Sequence, residues 1–211
     1  MTTAFAAADP RRGFFERLAE EWDAQQPPDR EERLRRLLAS FAAELGAARA
    51  ILEVGTGTGA LIPLLREVSP AASIVSIDLA YGMLWRARRR CPHARLVQAD
   101  AHALPFTPAT FDRIICHNVF PHFRAKPTAL RELARVLRPG GLLLILHDLG
   151  REQVNAIHQA VGGAIGGDRL PPGTELSRWL QRAGFSEPEV WDRPEGYGAI
   201  GFRSPSAADT S

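Results

Sequence analysis

The sequence predicts an α/β fold with a mostly parallel, doubly wound sheet and helices on both of its faces. The first observation is the segment 51–54 (Ile-Leu-Glu-Val), a mostly apolar run that leads directly into a glycine-rich turn, as a buried strand does before a helix. The second is that further apolar runs, at 73–79 and 142–146, alternate with helical or turn segments. The third is composition, since 211 residues with 45% hydrophobic and 24% charged side chains suit one globular domain.

An N-terminal helical cap is predicted over residues 1–46. Asp9 followed by a proline is a typical start of a helix. A Gln-Pro-Pro break precedes Asp29, which together with Glu32 has the spacing of a capping box and predicts a helix that extends to Leu45. The first helix carries an apolar stripe that either packs on the sheet or covers a bound ligand, and its members are Phe14, Phe15, Leu18 and Trp22.

The turn after the first strand has the sequence Glu-Val-Gly-Thr-Gly-Thr-Gly. Gly55, Gly57 and Gly59 remove side chains where the backbone turns sharply and approaches a ligand. A helix predicted over about 60–68 aims the N–H groups of the turn at that ligand. The glycines alternate as G-x-G-x-G, with Glu53 two places before the first. A nicotinamide-binding fold is the alternative, and its G-x-G-x-x-G spacing argues against it here.

Two further strands end in acidic residues that suit a nucleoside ligand. The strand at 73–79 carries Asp78, about 20 residues beyond the glycines, where a carboxylate can accept hydrogen bonds from both hydroxyls of a ribose. The strand at 95–100 ends in Asp100, which is placed to accept a hydrogen bond from an adenine amino group. The helix between these strands opens near Met83, which can lie against an adenine ring.

The second half of the chain continues the alternation of strands and helices. A strand is predicted at 111–116 and an amphipathic helix at 130–137, stopped by the Arg-Pro-Gly-Gly segment 138–141. The buried strand at 142–146 follows, and a later helix covers 176–183.

Five motifs in this order resemble the class I S-adenosylmethionine-dependent methyltransferases, over about residues 14 to 203. They are Glu-x-Gly-x-Gly-x-Gly at 53–59, Asp78, Asp-Ala-x-x-Leu-Pro-Phe at 100–106, Phe-Asp-x-Ile-Ile at 111–115 and Val-Leu-Arg-Pro-Gly-Gly at 136–141. The resemblance implies a single Rossmann-like domain whose mostly parallel sheet has seven strands. Segments 187–192 and 195–203 fit the last two strands, of which the final one is antiparallel.

The same resemblance implies an enzyme that transfers a methyl group from S-adenosylmethionine to a small-molecule acceptor. The glycine turn would approach the methionyl part of the cofactor, and Glu53 would favour its ammonium group. The residues expected to bind the cofactor are Glu53, Gly55, Thr56, Gly57, Gly59, Asp78, Leu79, Met83, Asp100, Ala101 and His117.

The whole chain, 1–211, is therefore predicted to form one methyltransferase domain. Residues 47–149 are its cofactor-binding core, and 150–203 hold an acceptor-side insert and the last two strands. Ligands of doubly wound sheets bind beyond the carboxyl ends of the strands, so the helical cap and the insert are expected to wall the acceptor site. Apolar wall residues suit a small, partly apolar acceptor, and they are Phe120, Leu170 and Trp179.

Composition argues against several other classes of protein. The net charge is only +2, and the cluster of arginines at 86–90 is not a basic block with interleaved aromatics, so nucleic acid is not an expected partner. The Asn-Pro-Pro-Tyr motif of enzymes that methylate nucleobase amino groups is also absent. No apolar run of about 18 residues predicts a membrane span, and no secretory signal is seen. Cys91 and Cys116 make no disulfide framework, so a cytoplasmic protein is expected.

The sequence has six histidines, and four of them fall where the acceptor is expected. His117 follows the strand at 111–116, and His122 lies in the loop after it. His147 closes the fifth strand, and His158 lies in a helix-like segment of the insert. Because neighbouring strands are about 4.8 Å apart, these side chains can converge.

Three interpretations of the histidines stay open. They can be separate polar residues at a solvent-facing rim. One of them, His122 or His147 with His117 nearby, can be a general base, because imidazole titrates near neutral pH. Alternatively, His122, His147 and His158 can bind a zinc-like transition metal ion, with Asp148 and Asn155 as candidates to hold the second ring nitrogens. The alternative to an enzyme is a non-catalytic accessory protein that binds S-adenosylmethionine or metal, and the oligomeric state is not indicated.

Overall fold

A computed structural model describes residues 9–205 of the chain, so the parts of the predicted domain that fall on residues 1–8 and 206–211 lie outside the described residues. The chain divides into two compact units, one ending at Asp100 and the other starting at Ala101. Within residues 9–205, no helix has both the length and the apolar character needed to cross a membrane.

The first unit begins with the helical cap and continues as an alternation of strands and helices. A short 3-10 turn, Asp23–Gln25, follows the first helix. The strands pair in parallel, with Ile51 opposite Ile74 in the first pair. The elements are α1 (Pro10–Leu18), α2 (Arg30–Ala39), α3 (Ala42–Gly46), β1 (Ala50–Val54), α4 (Leu61–Val68), β2 (Ser73–Asp78), α5 (Tyr81–Arg90) and β3 (Arg95–Gln98).

The second unit contains one parallel pair of strands and an antiparallel end. Two 3-10 turns, Phe120–His122 and Gly163–Ile165, lie in its loops. Its elements are β4 (Phe111–His117), α6 (Lys126–Val136), β5 (Leu137–His147), α7 (Arg151–Val161), α8 (Gly173–Arg182), β6 (Phe185–Arg193) and β7 (Gly196–Arg203). Strand β4 pairs with β5 in parallel, whereas β7 runs antiparallel to both β5 and β6.

The seven strands have the order β3-β2-β1-β4-β5-β7-β6 in one sheet. This confirms the predicted fold class, a Rossmann-like, doubly wound, mostly parallel seven-stranded sheet with an antiparallel last strand. Burial explains why the central strands are apolar on both faces. Successive side chains of a strand point to opposite faces, yet Ile51 and Leu52 are both fully buried, as are Leu144 and Ile145 of β5. The predicted domain boundaries stay a prediction.

The helical cap is anchored to the start of α5. Asp9 caps α1 as predicted, because its side chain accepts a hydrogen bond from the backbone N–H of Arg11 at 3.0 Å. Glu16 accepts hydrogen bonds from the backbone N–H groups of Tyr81 and Gly82, at 2.7 and 2.5 Å, and so satisfies two N–H groups that have no partner inside α5. These contacts hold α1 against the helix that follows β2.

The second predicted helix of the cap differs from the structure in two ways. First, it is divided into two helices, because α2 ends at Ala39 and α3 begins at Ala42. At the end of α2 the hydroxyl of Ser40 donates to the carbonyl of Arg36 at 3.2 Å, so it competes with the backbone N–H groups for that carbonyl. The predicted capping box is also wrong. The side chain of Asp29 makes no capping hydrogen bond and pairs with Arg33 at 2.8 Å instead.

Candidate active site

The glycine turn after β1 is a tight backbone structure that requires glycine. Gly55, Gly57 and Gly59 have φ values of 74, 54 and 80°, in the left-handed region that side chains disfavour. The backbone N–H groups of Gly55 and Thr56 both donate to the carbonyl of Ile77 in β2, at 2.9 and 3.0 Å. The turn is therefore fixed by the neighbouring strand before any ligand binds.

The third glycine of the turn has a packing role. A Cβ atom at Gly59 would lie 3.0 Å from Cβ and 3.1 Å from Cα of Ala87 in α5, closer than side chains normally approach. A Cβ atom at Gly57 would meet only Nε1 of Trp22, at 3.9 Å. Of these two glycines, Gly57 is thus the one that leaves room for a ligand, whereas Gly59 allows α5 to pack closely.

Glu53 is a buried carboxylate held by two hydroxyl groups. It is 3% exposed, and its Oε2 accepts hydrogen bonds from Thr56 Oγ1 at 3.0 Å and from Ser76 Oγ at 2.6 Å. These donors come from the turn and from β2, so they fix the orientation of the carboxylate. Thr56, which was predicted as a cofactor residue, acts here by positioning Glu53.

Asp78 at the end of β2 joins the glycine turn to the start of α5. Its Oδ2 accepts a hydrogen bond from Gly57 N at 2.8 Å, and its Oδ1 accepts one from Ala80 N at 2.9 Å. Burial raises the pKa of Asp78 to about 6, because the backbone hydrogen bonds from Ala80, Gly57 and Leu79 offset only part of the cost of burying the charge. A carboxylate oxygen has more than one lone pair, so both oxygens can still accept hydrogen bonds from a ligand.

The other residues that were predicted to bind the cofactor are distributed over both units. Met83 is buried in a cluster with Ala19 and Ala80, against which Phe15 and Trp22 pack. The side chain of Gln98 donates to the backbone carbonyl of Leu79 at 2.9 Å. Asp100 is buried and ends the first unit, whereas Ala101, also buried, and the partly buried His117 belong to the second unit. Their roles stay predictions.

In the second unit, His122 forms a close pair with a buried carboxylate. Its Nδ1 lies 2.7 Å from Oδ2 of Asp168, a residue that is only 2% exposed. The ring of His158 lies 4.8 Å from that of His122, between centroids, and its Nδ1 is 3.2 Å from the backbone carbonyl of Asp168. Because a carbonyl only accepts, Nδ1 of His158 carries the proton, and burial lowers the pKa of this histidine. Asp168 thus holds two histidines, and no sequence pattern predicted it.

His117 pairs with Asp148, which was expected only as a candidate to hold a ring nitrogen of a metal-binding histidine. Its Nε2 is 2.9 Å from Asp148 Oδ1, while Oδ2 accepts a hydrogen bond from the side chain of Asn118 at 2.8 Å. Burial alone would raise the pKa of Asp148, but the hydrogen bonds from His117 and Asn118 outweigh it and lower that pKa to about 2. Asp148 is therefore ionised at neutral pH and fixes one ring nitrogen of His117.

His147 is the most buried of the histidines in this unit, and one of its ring nitrogens has no partner among the described residues. It is 5% exposed, and its Nε2 has no hydrogen-bond partner among residues 9–205. Burial lowers the pKa of His147 well below its ordinary value, and the nearby His117 and His122 lower it further, so the ring is neutral. On the adjacent strand the hydroxyl of the fully buried Tyr197 also lacks a partner in this part of the chain, and the two ring centroids are 6.1 Å apart.

The predicted metal site is not formed. Among the described residues, no group of three or more His, Cys, Asp or Glu side chains has the geometry to hold a metal ion, so the prediction for His122, His147 and His158 is wrong. Asp168 holds His122 and His158 through their Nδ1 atoms, whereas Nε2 of His147 has no partner among the described residues. Asn155, the other expected partner, exchanges two hydrogen bonds with the backbone of Leu170 and holds α7 to the loop after it.

Comparison with known proteins relates the chain to methyltransferases. A family model described as a methyltransferase domain matches residues 52–145. The demethylmenaquinone methyltransferase of Thermus thermophilus is 42% identical over 118 residues, which cover 54% of this chain and 53% of that protein. The malonyl-[acyl-carrier protein] O-methyltransferase of Geobacter sulfurreducens is 34% identical over 195 residues, which cover 87% of this chain and 73% of that protein. The chain thus spans about half the length of the first relative and about three quarters of the second.

A solved structure supports the fold. The complex between the Haloferax volcanii Trm112 methyltransferase activator and a methyltransferase contains a chain that matches with a TM-score of 0.72 and 18% identity. The match covers 90% of this chain and 98% of that one. At this identity the likeness concerns the fold alone.

Proposed function

Because the chain belongs to the class I S-adenosylmethionine-dependent methyltransferases, we propose that it methylates a small molecule that bears an ionisable hydroxyl group. The observation that carries this proposal is the pairing of His122 with the buried Asp168 at 2.7 Å. S-adenosylmethionine supplies an already activated methyl group on a sulfonium centre. The protein then has to bind and align the two reactants and, for a hydroxyl acceptor, to take a proton.

The glycine turn and its neighbours fit the cofactor of this family. The bare backbone at Gly57 leaves room for the methionyl part, since a Cβ atom there would meet nothing closer than 3.9 Å. The carboxylate of Glu53, fixed by Thr56 and Ser76, suits the ammonium group of the cofactor. Asp78 suits the ribose hydroxyls, which are donors that its carboxylate can accept.

We assign the role of general base to His122. When Nδ1–H of the imidazole donates to the carboxylate of Asp168, the lone pair lies on Nε2, where it can accept a proton. The carboxylate also stabilises the imidazolium that forms. Asp168 is a positioning residue in this arrangement, because it acts through His122.

The other histidines have different roles because their surroundings differ. His147, neutral and lacking a partner at Nε2, is suited to a hydrogen bond with the acceptor and not to taking a proton. The hydroxyl of Tyr197 is a second buried group of this kind. His117 is held by the ionised Asp148 and contributes a fixed polar group at the end of β4.

The names of the relatives suggest two acceptor classes, and the histidine pair supports one of them. A malonyl group presents a carboxylate, which has no proton to lose at neutral pH. A demethylmenaquinone is a quinone, and the reduced form of a quinone carries phenol-like hydroxyls. Only the second class has a hydroxyl proton for a base to remove. Loss of that proton makes the phenolate oxygen, or the ring carbon beside it, nucleophilic toward the methyl group, and methylation at carbon then releases the ring proton to solvent. The pairing of His122 with Asp168 therefore favours a phenol- or quinol-type acceptor.

The test is a methyl-transfer assay with two acceptors. Protein is incubated with methyl-labelled S-adenosylmethionine and either a naphthoquinol that lacks the ring methyl group or a malonyl thioester, and labelled product and S-adenosylhomocysteine are measured. We expect the quinol to be methylated, and His122→Asn to slow the reaction about 100-fold or more. His93→Asn, at an exposed histidine of the first unit, is the matched control and should leave the rate unchanged. Preference for the malonyl thioester with full activity in His122→Asn would overturn the proposal, and absence of turnover with any acceptor would favour a non-catalytic accessory protein.

A further inference from the structure

The helical cap places a buried hydrogen-bond donor beside the glycine turn. Trp22 follows α1 at the start of the 3-10 turn Asp23–Gln25, and the side of its ring packs with Phe15 at 6.2 Å between centroids. Its indole Nε1 is buried and has no hydrogen-bond partner among residues 9–205. An indole N–H can only donate, and buried donors almost always have an acceptor, so this group points to a ligand atom that accepts a hydrogen bond.

The position of this donor is defined by its neighbours. Nε1 of Trp22 lies 3.9 Å from the point that a Cβ atom of Gly57 would occupy. Gly57 is the residue of the turn that leaves its backbone open. The donor therefore lies beside the bare backbone of Gly57.

The cap is fixed there by charged contacts. Asp23, next to Trp22 in the chain, accepts a hydrogen bond from Thr58 Oγ1 at 2.6 Å and from Arg90 at 2.7 Å. Thr58 belongs to the glycine turn itself. Together with the contacts of Glu16 to the start of α5, these bonds hold the indole in place, so its N–H is preorganised.

We propose that the indole N–H of Trp22 binds the carboxylate of the methionyl group of S-adenosylmethionine. Among the groups of the cofactor, the ammonium and the ribose hydroxyls are served by the acceptors Glu53 and Asp78, whereas the carboxylate needs donors. Two basic side chains lie beside Trp22, Arg30 of α2 and Arg90 of α5, and both pair with Asp23. A neutral donor fixed beside Gly57 meets this need, and a hydrogen bond to a charged acceptor is stronger than one between neutral groups.

The proposal rests on the cofactor of the family and not on the proposed acceptor, so the two can fail separately. The experiment is calorimetry of cofactor-free protein with four ligands: S-adenosylmethionine, S-adenosylhomocysteine, decarboxylated S-adenosylmethionine and 5′-methylthioadenosine. Trp22→Phe keeps an aromatic ring and removes the donor. We expect it to weaken binding of the two ligands that carry a carboxylate about tenfold or more. Binding of the two ligands without one should be unchanged. Trp85→Phe, at an exposed tryptophan of α5, is the matched control.

Two outcomes would overturn the proposal. Equally weaker binding of all four ligands to Trp22→Phe would mean that Trp22 only shapes the site by packing. No weakening of any ligand would mean that the N–H binds elsewhere or to water.

A second measurement keeps the proposal testable if Trp22→Phe does not fold. The chain has four tryptophans, so the indole ¹⁵N–¹H signal of Trp22 can be assigned by elimination with the Phe variants of Trp85, Trp179 and Trp191. S-adenosylhomocysteine should move this signal to lower field, whereas 5′-methylthioadenosine should not. An equal shift with both ligands would contradict the proposal.

Discussion

Asp78 gives a sharp test of the cofactor site, because its carboxylate holds the glycine turn and titrates in an accessible pH range. It accepts hydrogen bonds from Gly57 N and Ala80 N at 2.8 and 2.9 Å, and burial raises its pKa to about 6. The perturbations are a change of pH through this value and the variant Asp78→Asn. Asparagine has nearly the same size but cannot ionise.

The expected magnitude follows from the pKa. If the cofactor binds only to the ionised carboxylate, about one molecule in eleven is competent at pH 5, and the dissociation constant rises about tenfold between pH 8 and pH 5. In Asp78→Asn the amide NH₂ group must face either Gly57 N–H or Ala80 N–H. That mismatch costs folding stability. The affinity falls because the ribose hydroxyls then meet a neutral amide, and loss of one charge-assisted hydrogen bond to the cofactor costs about 1.5–3 kcal/mol, or about 10- to 150-fold.

The sign of the linkage separates lost binding from lost folding. The pKa of Asp78 is higher in the folded chain than its ordinary value of 3.8, so the folded state binds more protons between pH 3.8 and about 6. The contribution of Asp78 to the free energy of unfolding therefore grows as the pH falls through this window. Weaker cofactor binding at low pH cannot come from unfolding that is linked to Asp78.

The assay is calorimetry with S-adenosylhomocysteine from pH 8 to pH 5, with circular dichroism at each pH to confirm that the protein is folded. The affinity of the unmodified protein should decline below about pH 6, whereas Asp78→Asn should bind more weakly at pH 8 and show no such decline. The same slope in both proteins would refute the reasoning, because another group would then titrate. A flat profile for the unmodified protein would show that Asp78 does not contact the cofactor.

Three further outcomes are expected. The pKa of His147 is lowered by burial, so below pH 6.5 the unfolded chain binds a proton at this residue that the folded chain does not bind. The free energy of unfolding of the protein should therefore fall by up to about 1.4 kcal/mol for each unit by which the pH decreases. Urea unfolding at pH 7.5 and 5.5 should show a smaller pH dependence in His147→Gln, and an equal one would contradict the assignment. Asp168→Asn should slow methyl transfer about 10- to 100-fold in initial-rate assays, whereas the cofactor affinity measured by calorimetry should not change. A parallel loss of cofactor affinity would argue against a positioning role for Asp168. Gly59→Ala should destabilise the fold by about 2–4 kcal/mol in denaturant unfolding, since its new methyl group would lie 3.0 Å from Ala87. Gly140→Ala is the control, because Gly140 has a φ of 71° and open space around it, and it should cost about 1 kcal/mol. Equal costs for the two variants would exclude the clash with Ala87.

The elements of the first unit were largely predictable because their signals are local. Apolar runs bounded by a glycine turn or an acidic residue placed β1 and β2 within a residue or two, and the Asp-Pro pair placed the start of α1. The capping box at Asp29 failed for a local reason as well, because Arg33 competes for the same carboxylate. A pattern of residue types does not say which of two nearby partners a side chain takes.

The Arg-Pro-Gly-Gly segment shows where local reasoning was incomplete. It does end α6, which stops at Val136, but β5 already begins at Leu137. In the pairing with β4, Leu137 lies opposite Phe111 and Leu142 opposite Arg113, so the segment is an irregularity inside the strand. Pairing with a strand that lies far away in the sequence determined this boundary.

The residues of the candidate site also comprise some that local sequence patterns predicted and some that they did not. The strand ends predicted the positions of His117 and His147, but the pairing of His117 with Asp148 was not predicted. Asp168 could not be predicted, because it lies in a loop without periodicity and is 46 residues away from His122. The metal interpretation failed because strand ends place histidines near one another but do not set the positions of their ring nitrogens, and the described residues form no group able to hold a metal ion.

The sequence by itself determined the α/β fold, the strained glycine turn and the carboxylates Glu53 and Asp78, because these depend on burial periodicity and on spacing within one strand-turn-helix segment. Only the tertiary structure decided which polar groups meet: Asp168 with His122, and Trp22 with the open backbone of Gly57. Such pairings depend on distances through space between loops and helices, and every buried donor or acceptor must find its partner there. The order of residues along the chain does not contain those distances in any short pattern.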